Sequence, residues 1–336
     1  MRRLVIVLCL TAPALAQPSG PYHIARTFAL GGAGAWDYIV LEPARHRVFV
    51  ARTNRVMVID TDSGRLIGEV TGTNGAHGTA IAPATGHGFA TSGNDQSVVM
   101  FDLATLKPLS RIPAAEDADA ILYDQPSDRV FTLNGDAHSS TVIDPVEGRV
   151  IATVPLGGKP EYGASAGDGK VYANLTDTNE VVEIDAKTAA VSRRWPTAPC
   201  RQPVSMAIDP GHRRLFSGCR SGVLAVSDYQ AGKMVTTLPI GMGVDGAGYD
   251  PDAADVFATA ADGTLTVIHQ DGPDSYRVLE TVATPTGSRN MGLDTTTHRI
   301  FVAAATFAPA APVPPGGRAG RPTVEPGSFK LLVIER

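Results

Sequence analysis

Cysteine, histidine and aromatic residues are all scarce in this chain. Of its 336 residues only 3 are cysteine and 8 are histidine, and 6% are aromatic. Cys9 lies within the first ten residues, which leaves Cys200 and Cys219 for the rest of the chain. A transition-metal site usually takes two or more histidines or cysteines at short spacing. An isolated pair of cysteines with no histidine beside it is therefore not typical of a zinc site.

The chain also lacks an excess of basic residues. Its 29 Lys and Arg face 34 Asp and Glu, so the formal net charge is −5. Nonspecific binding to nucleic acid needs a positive electrostatic field. We therefore expect no nucleic-acid partner.

Long apolar runs are missing beyond the start of the chain. Arg2 and Arg3 precede an apolar run from Leu4 to Leu10, and Ala14-Leu15-Ala16 forms an A-x-A cleavage signal. This order is typical of a secretory signal peptide, and the run is too short to span a bilayer. We expect residues 1–16 to be removed and residues 17–336 to be periplasmic or secreted, as a monomer with no membrane span. Without Arg2 and Arg3 the count is 27 basic against 34 acidic residues, a net charge of −7.

Sustained helical periodicity is absent too, whereas 35 glycines and 25 prolines suit a chain with many turns. What the chain does contain is a repeat. Short segments such as "HRVFVA", "DRVFTL" and "HRIFVA" each carry one aromatic residue, and these lie 40, 42, 41, 44, 41 and 44 residues apart. The seven aromatic residues are Phe49, Phe89, Phe131, Tyr172, Phe216, Phe257 and Phe301. A period of about 40–45 residues with several strands per unit is typical of β-propeller blades.

Each unit reads as four strands joined by turns. The third strand ends in aspartate, as in "VMVID", and a turn such as "TDSGR" leads into an outer strand. Aspartate suits that turn because its carboxylate accepts hydrogen bonds from backbone N–H groups further along. The sequence therefore predicts an all-β fold, a seven-bladed β-propeller with four-stranded antiparallel blades, as one domain over residues 17–336.

The two ends of the chain predict how the ring closes. The last unit stops at a third strand, "LLVIER", with no fourth strand after it. An additional strand, "YHIARTFAL", precedes the first unit. We expect this N-terminal strand to complete the seventh blade and remove its open edge.

The repeat "RVFVARTNRVMVIDTDSGRLIGEV" resembles the YVTN-type β-propeller repeats of secreted bacterial proteins. The resemblance covers essentially the whole chain after the signal peptide and implies a seven-bladed propeller. It does not imply one activity, because such propellers include binding modules, scaffolds and some enzymes. Related propellers that act as lactonases or lyases hold a metal on one face, but no motif here transfers their metal ligands.

Candidate site residues follow from propeller geometry. The loop that enters each innermost strand and the loop between the second and third strands lie on one face, here called the funnel face. The entering loops surround the central channel, so their residues converge. We expect a ligand-binding site formed by Trp36, Asp37, His77, Asp119, Glu161, Arg201, Asp245, Arg289 and Asn290.

Two functions remain open for that face. The first is a non-catalytic binding or scaffold protein that holds a small polar ligand or a periplasmic or extracellular protein. The alternative is a divalent-metal-dependent, lactonase-like hydrolase or a lyase that uses His77 as acid and base. Its ion would be Ca²⁺ or Mg²⁺, with His77, Glu161 and Asp245 as candidate ligands and Asp119 as a further oxygen donor. No catalytic residue is assigned.

The sequence also supports predictions for an insertion, a glycine run and a pair of cysteines. The Pro- and Gly-rich insertion at 308–328 emerges on the funnel face, as a disordered loop or as a flap that uses Arg318 and Arg321. The glycine run "GGAGA" precedes no helix, so tight loops explain it better than phosphate binding. Cys200 and Cys219 lie at the funnel-face ends of neighbouring strands of one blade, within disulfide reach, and we expect them to be bonded.

Overall fold

The computed structural model describes residues 20–309 and 323–336, which form seven four-stranded antiparallel sheets. Blade 1 comprises β2 Ile39–Glu42, β3 Arg47–Arg52, β4 Arg55–Asp60 and β5 Leu66–Val70. Blade 2 comprises β6 Thr79–Ala82, β7 His87–Ser92, β8 Ser97–Asp102 and β9 Pro108–Pro113. Blade 3 comprises β10 Ala118–Asp124, β11 Arg129–Asn134, β12 Ser139–Asp144 and β13 Arg149–Pro155. The prediction of a seven-bladed propeller is confirmed.

The remaining blades follow the same order. Blade 4 comprises β14 Pro160–Ser165, β15 Lys170–Leu175, β16 Glu180–Asp185 and β17 Ala190–Pro196. Blade 5 comprises β18 Pro203–Asp209, β19 Arg214–Cys219, β20 Val223–Asp228 and β21 Lys233–Pro239. Blade 6 comprises β22 Val244–Asp250, β23 Asp255–Ala260, β24 Thr264–Gly272 and β25 Ser275–Ala283. Blade 7 comprises β26 Met291–Asp294, β27 Arg299–Ala304, β28 Lys330–Glu335 and, from the N-terminus, β1 His23–Ala29.

The core lies between blades, which explains the aromatic repeat. All seven repeat aromatics are buried, and each projects from the second strand of its blade. Phe49 of blade 1, for example, lies in a buried cluster with Val58 of its own sheet and with Phe101 and Leu103 of blade 2. Each sheet thus covers one face of the next sheet, and the repeat spacing is the chain length needed to build one such layer.

The turn after the third strand forms as the sequence predicts. Asp60 Oδ1 accepts hydrogen bonds from the backbone N–H groups of Asp62 at 3.2 Å and Ser63 at 2.8 Å. Gly64 closes the turn with φ of 70°. The Phe28 ring of β1 packs where a Cβ atom at Gly64 would lie, so this position needs glycine for conformation and for space.

Strand β1 closes the ring, as predicted. It pairs antiparallel with β28 from His23 opposite Glu335 to Ala29 opposite Lys330, and the order in the sheet is β1-β28-β27-β26. The predicted signal peptide, residues 1–16, lies outside the described residues. So do residues 310–322 of the 308–328 insertion, which include Arg318 and Arg321. The described ends of the insertion are joined by a bridge between Phe307 and Val324. No helix of the described residues is long and apolar enough to cross a membrane.

The glycine run at 31–35 wraps around one buried arginine. The guanidinium of Arg52 is fully buried and donates to the carbonyl oxygens of Gly34 at 2.9 Å, Ala35 at 3.0 Å and Ala33 at 3.1 Å. It also lies 3.8 Å from the centroid of the Phe329 ring. Backbone carbonyls therefore converge on a cation, which is the opposite of a phosphate cradle.

Cys200 and Cys219 form a disulfide within blade 5, as predicted. Their Cα atoms are 5.7 Å apart, and both side chains are fully buried. The bond joins the entering loop of blade 5 to the end of β19, immediately before Arg220. The disulfide therefore anchors the loop between β19 and β20 on the funnel face.

Replacing both Cys200 and Cys219 by alanine is expected to lower the free energy of unfolding by about 3 kcal/mol, since the bond closes a loop of about 20 residues in the unfolded chain. Urea denaturation of the variant and the oxidised wild type measures this difference. Alkylation of the unreduced wild type followed by mass spectrometry is the control. Labelled cysteines at both positions would contradict the bond.

Candidate functional site

The polar site is built where the entering loops of neighbouring blades meet at the channel mouth. Backbone hydrogen bonds connect these loops directly, because the N–H of Tyr38 in blade 1 donates to the carbonyl of His77 in blade 2 at 3.2 Å. Thr91 Oγ1 of blade 2 donates to the carbonyl of Asp119 in blade 3 at 2.8 Å. The ring thus holds the side chains of consecutive entering loops at fixed distances from one another.

Blades 1 to 3 place one imidazole between two carboxylates. Nδ1 of His77 lies 2.7 Å from Asp37 Oδ2 and 3.2 Å from Asp119 Oδ1. The Cδ2 and Nε2 edge of the ring lies close to Gly93, where even a Cβ atom would be crowded. The absence of a side chain at Gly93 therefore leaves room for this edge of the ring, and Nδ1 is the nitrogen that faces the acids.

Blades 4 to 7 form a second group, of acids paired with arginines. Arg220 reaches Glu161 Oε1 at 3.3 Å and Asp245 Oδ1 at 3.8 Å, so that it connects blades 4 and 6 from its loop in blade 5. Arg289 Nε lies 3.2 Å from Asp245 Oδ2. The buried amide of Asn290 donates to the carbonyl of Asp245 at 3.3 Å and lies 3.5 Å from Asp37 Oδ1, which joins this group to the first.

Two tyrosines lie across the channel at the level of these acids. The hydroxyl of Tyr38 donates to the carbonyl of Glu161 at 3.0 Å, which spans the channel from blade 1 to blade 4. The Tyr38 ring packs edge-on against Tyr162, with ring centroids 5.2 Å apart. Sequence reasoning missed both tyrosines. The available signal was the residue after Asp37 and Glu161, which is tyrosine here, whereas it is glycine after His77 and Asp245 and alanine after Asp119.

Burial makes the ionised form of the site's carboxylates unfavourable. Burial, followed by the charges of Asp37 and Glu161, raises the pKa of Asp119 well above its usual range. Burial raises the pKa of Glu161 to about 7, although Arg220 opposes the shift. Burial and the charge of Asp37 raise the pKa of Asp245 to about 6. Burial and the neighbouring acids thus both oppose ionisation of these carboxyls, and a bound cation would lower this cost.

Not every residue predicted for the site reaches it. Trp36 lies in the core between blades 1 and 7, where its ring packs against Phe307 and Phe329. Arg201 is exposed, and its backbone N–H donates to Ser221 Oγ at 3.1 Å. The guanidinium of blade 5 that pairs with Glu161 and Asp245 belongs to Arg220, because the loop between β19 and β20 extends over the channel mouth.

The structure also places His77 next to different acids from those that the sequence suggested as its metal-binding partners. Asp37, His77 and Asp119 each offer a ligand atom within 4.8 Å of the other two. Glu161 and Asp245, which the sequence suggested as partners of His77, are instead bound by Arg220. The physical reason is blade order, because Asp37 and Asp119 lie on the two blades next to His77.

Two cavities are lined by residues other than the charged side chains of the candidate site. One of about 300 Å³ is lined by Tyr38, Tyr162 and apolar residues of the innermost strands such as Val40 and Leu122. The larger, about 740 Å³, lies against β1 and the turns of blades 6 and 7, with Tyr22, Arg26 and His298 in its wall. It lies on the opposite face and contains none of the predicted site residues. We base the candidate site on the converging charges, since cavity size alone says nothing about chemistry.

Stability is expected to fall as the pH rises from 5.5 to 8. Because the pKa values of Glu161 and Asp245 are raised to about 7 and about 6, the folded protein binds more protons than the unfolded chain, whose carboxyls titrate near 4. Their protonation therefore stabilises the fold most at low pH, and this contribution declines as the pH rises from about 4 in the unfolded chain through about 6 and about 7 in the folded protein. Thermal unfolding at both pH values tests this, with the Glu161→Gln, Asp245→Asn variant expected to show a smaller difference. An equal or higher melting temperature of the wild type at pH 8 would refute it.

Comparison with known proteins shows other chains with this fold but does not assign a family. No family model matches the chain. A curated relative, "Probable U3 small nucleolar RNA-associated protein 18" of Schizosaccharomyces pombe, is 24% identical over 251 residues, which are 70% of this chain and 48% of the relative. This chain thus spans about half the length of that relative.

Solved structures share the fold over all or most of this chain. A chain in the crystal structure of the mitotic checkpoint complex superposes with a TM-score of 0.76 at 14% identity, covering 100% of this chain and 99% of that chain. A chain of Kuenenia stuttgartiensis hydrazine synthase gives a TM-score of 0.51 at 13% identity, covering 71% of this chain and 96% of that chain. At these identities the likeness shows a shared fold.

Proposed function

We propose that this protein is an exported, non-catalytic binding module that holds a partner protein on its funnel face. The observation that carries the proposal is the convergence of Glu161, Arg220, Asp245 and Arg289 from four blades on one channel mouth. The two arginine side chains are 48% and 42% exposed, so they can exchange their present partners for groups of a bound protein. The propeller supplies a rigid frame, because every innermost strand is held by its own sheet.

Two further observations support a protein partner. Lys159, Asp117 and Asp136 extend the same charged surface at the rim through ion pairs of Lys159 Nζ at 3.4 and 2.5 Å. Charged rims of this kind favour correct orientation and rapid association of partners. The structurally similar chain belongs to a complex, the mitotic checkpoint complex, whereas the relative from Schizosaccharomyces pombe is named as RNA-associated. The resemblance to YVTN-type repeats and the predicted signal peptide support a location outside the cytoplasm in this proposal.

A photo-crosslinking amino acid at position 201, which is exposed on the entering loop of blade 5 and leaves Arg220 in place, tests the proposed face. We expect it to yield an adduct with a periplasmic protein, and the same amino acid at Asp252 to yield none. Asp252 is 78% exposed and lies in the turn between β22 and β23, on the opposite face. The variant Glu161→Gln, Asp245→Asn, Arg289→Ala should lose the adduct and keep its circular dichroism. Adducts from position 252 alone, or a small molecule alone retained by the funnel face, would contradict the proposal.

The alternative, a metal-dependent hydrolase or lyase, rests on the cluster of Asp37, His77 and Asp119. A general acid or base must lie within hydrogen-bond reach of the reacting group. Nδ1 of His77 already contacts two carboxylates of the protein, so this nitrogen does not face a substrate. Turnover of lactone substrates that is lost on chelation would favour this alternative over the binding module.

A further inference from the structure

We propose that Asp37, His77 and Asp119 bind a divalent first-row transition-metal ion of the Zn²⁺ or Mn²⁺ type, on the side of the funnel formed by blades 1 to 3. The site goes beyond the proposed function, which assigns partner contact to the charges of blades 4 to 7. It also differs from the Ca²⁺ or Mg²⁺ set of His77, Glu161 and Asp245 that the sequence suggested.

The distances between the ligand atoms fit such an ion. Metal–nitrogen and metal–oxygen bonds of about 2.1 Å place neighbouring ligand atoms about 3.0 Å apart at right angles and about 3.4 Å apart in a tetrahedron. Nδ1 of His77 lies 2.7 Å from Asp37 Oδ2 and 3.2 Å from Asp119 Oδ1. Small adjustments of these side chains would give all three atoms one common centre.

Hydrogen bonds among the described residues leave one buried carboxylate oxygen of the cluster without a donor. Nδ1 carries at most one proton, and Asp37 Oδ2 at 2.7 Å is the nearer acceptor. Asp119 Oδ1 is buried and accepts no hydrogen bond from the described residues. Asn290, which is 2% exposed and lies beside Asp37, likewise has a buried Oδ1 without a hydrogen bond among the described residues. A buried carboxylate oxygen without a donor costs about 1–3 kcal/mol or more, and a cation at the centre of the cluster would satisfy it.

The donor set selects the class of ion. An imidazole nitrogen with two carboxylate oxygens suits Zn²⁺, Mn²⁺ and their neighbours, whereas Ca²⁺ and Mg²⁺ prefer all-oxygen sites. Three protein ligands leave at least one coordination position open, as in sites that hold a further ligand or water. Gly93 leaves room for the Cδ2 and Nε2 edge of the His77 ring, and Nδ1 is the nitrogen that faces the two carboxylates.

Calorimetric titration of the untagged, EDTA-dialysed protein with ZnCl₂ and MnCl₂ tests the site, with CaCl₂ and MgCl₂ in parallel. We expect about one equivalent of Zn²⁺ or Mn²⁺ to bind and to raise the melting temperature. Asp119→Asn and Asp37→Asn should each weaken binding at least about tenfold. Asp119→Asn should keep or raise the melting temperature of the metal-free protein, because the amide has nearly the same shape and cannot ionise in this buried place, so that loss of binding is not loss of fold.

His269→Ala is the matched control. His269 lies 2.7 Å from Asp255 through Nδ1 and is 27% exposed, close to the 26% of His77, but it is outside the cluster. This variant should bind metal as the wild type does. No binding to the wild type at 1 mM metal, unchanged binding by both aspartate variants, or preference for Ca²⁺ or Mg²⁺ would overturn the proposal. Crosslinking from position 201 in EDTA tests the partner face separately, so that either proposal can fail without the other.

Discussion

A chain that lacks residues 22–30 is expected to aggregate and to lose on the order of 5 kcal/mol or more of its free energy of unfolding. The deleted strand β1 pairs with β28 along its whole length and buries Tyr22 and Phe28. Removing one large buried aromatic side chain costs about 3–5 kcal/mol. The deletion also exposes β28, whose Leu332 and Ile334 are fully or almost fully buried in the intact ring. An unpaired apolar edge strand of this kind is a template for association.

Light scattering and thermal unfolding of the truncated protein measure both effects. A synthetic peptide of residues 20–31 provides the control, because it should re-form the edge and restore the melting temperature, whereas a scrambled peptide should not. A truncated protein that stays monomeric and keeps the melting temperature of the intact chain would show that β1 contributes little to the free energy of unfolding.

Arg52→Ala is expected to destabilise the fold by about 3 kcal/mol, because it removes three hydrogen bonds of a fully buried side chain at about 1 kcal/mol each. The guanidinium donates to three carbonyl oxygens of the loop 31–35, and its removal takes away these hydrogen bonds together with the contact on the Phe329 ring. Burial lowers the pKa of Arg52 to about 10, so the group is still charged at pH 7. Arg52→Lys should rescue little, since an ammonium cannot present the planar array of donors that this loop contacts.

Arg55→Ala is the matched control for this prediction. Arg55 pairs with Glu69 at 2.8 Å near the same loop but is partly exposed, so its loss should cost about 1 kcal/mol or less. Urea denaturation of both variants measures the difference. Because the loop 31–35 leads directly to Asp37, Arg52→Ala should also weaken metal binding at the cluster. Equal stability of the Arg52 and Arg55 variants would refute the role of the buried guanidinium.

The sequence by itself determined the architecture of this protein. Each blade packs its second-strand aromatic against the next blade, so one local pattern recurs seven times and is visible as a spacing. The missing fourth strand after "LLVIER" predicted closure by β1 for the same reason, since each sheet needs four strands. The disulfide was predictable because Cys200 and Cys219 lie at the ends of neighbouring strands. In each case the deciding contacts are set by strand order.

Only the tertiary structure decided which side chains of the funnel meet. Convergence of the entering loops placed His77 near acids, but blade order and ring orientation selected Asp37 and Asp119. Tyr38 reaches Glu161 across the channel, and Arg220 rather than Arg201 pairs with the acids of blades 4 and 6. Trp36 turned into the core although its neighbour Asp37 faces the channel. These contacts join residues from different blades, and they depend on the direction in which each side chain leaves a twisted loop, which the repeat pattern does not encode.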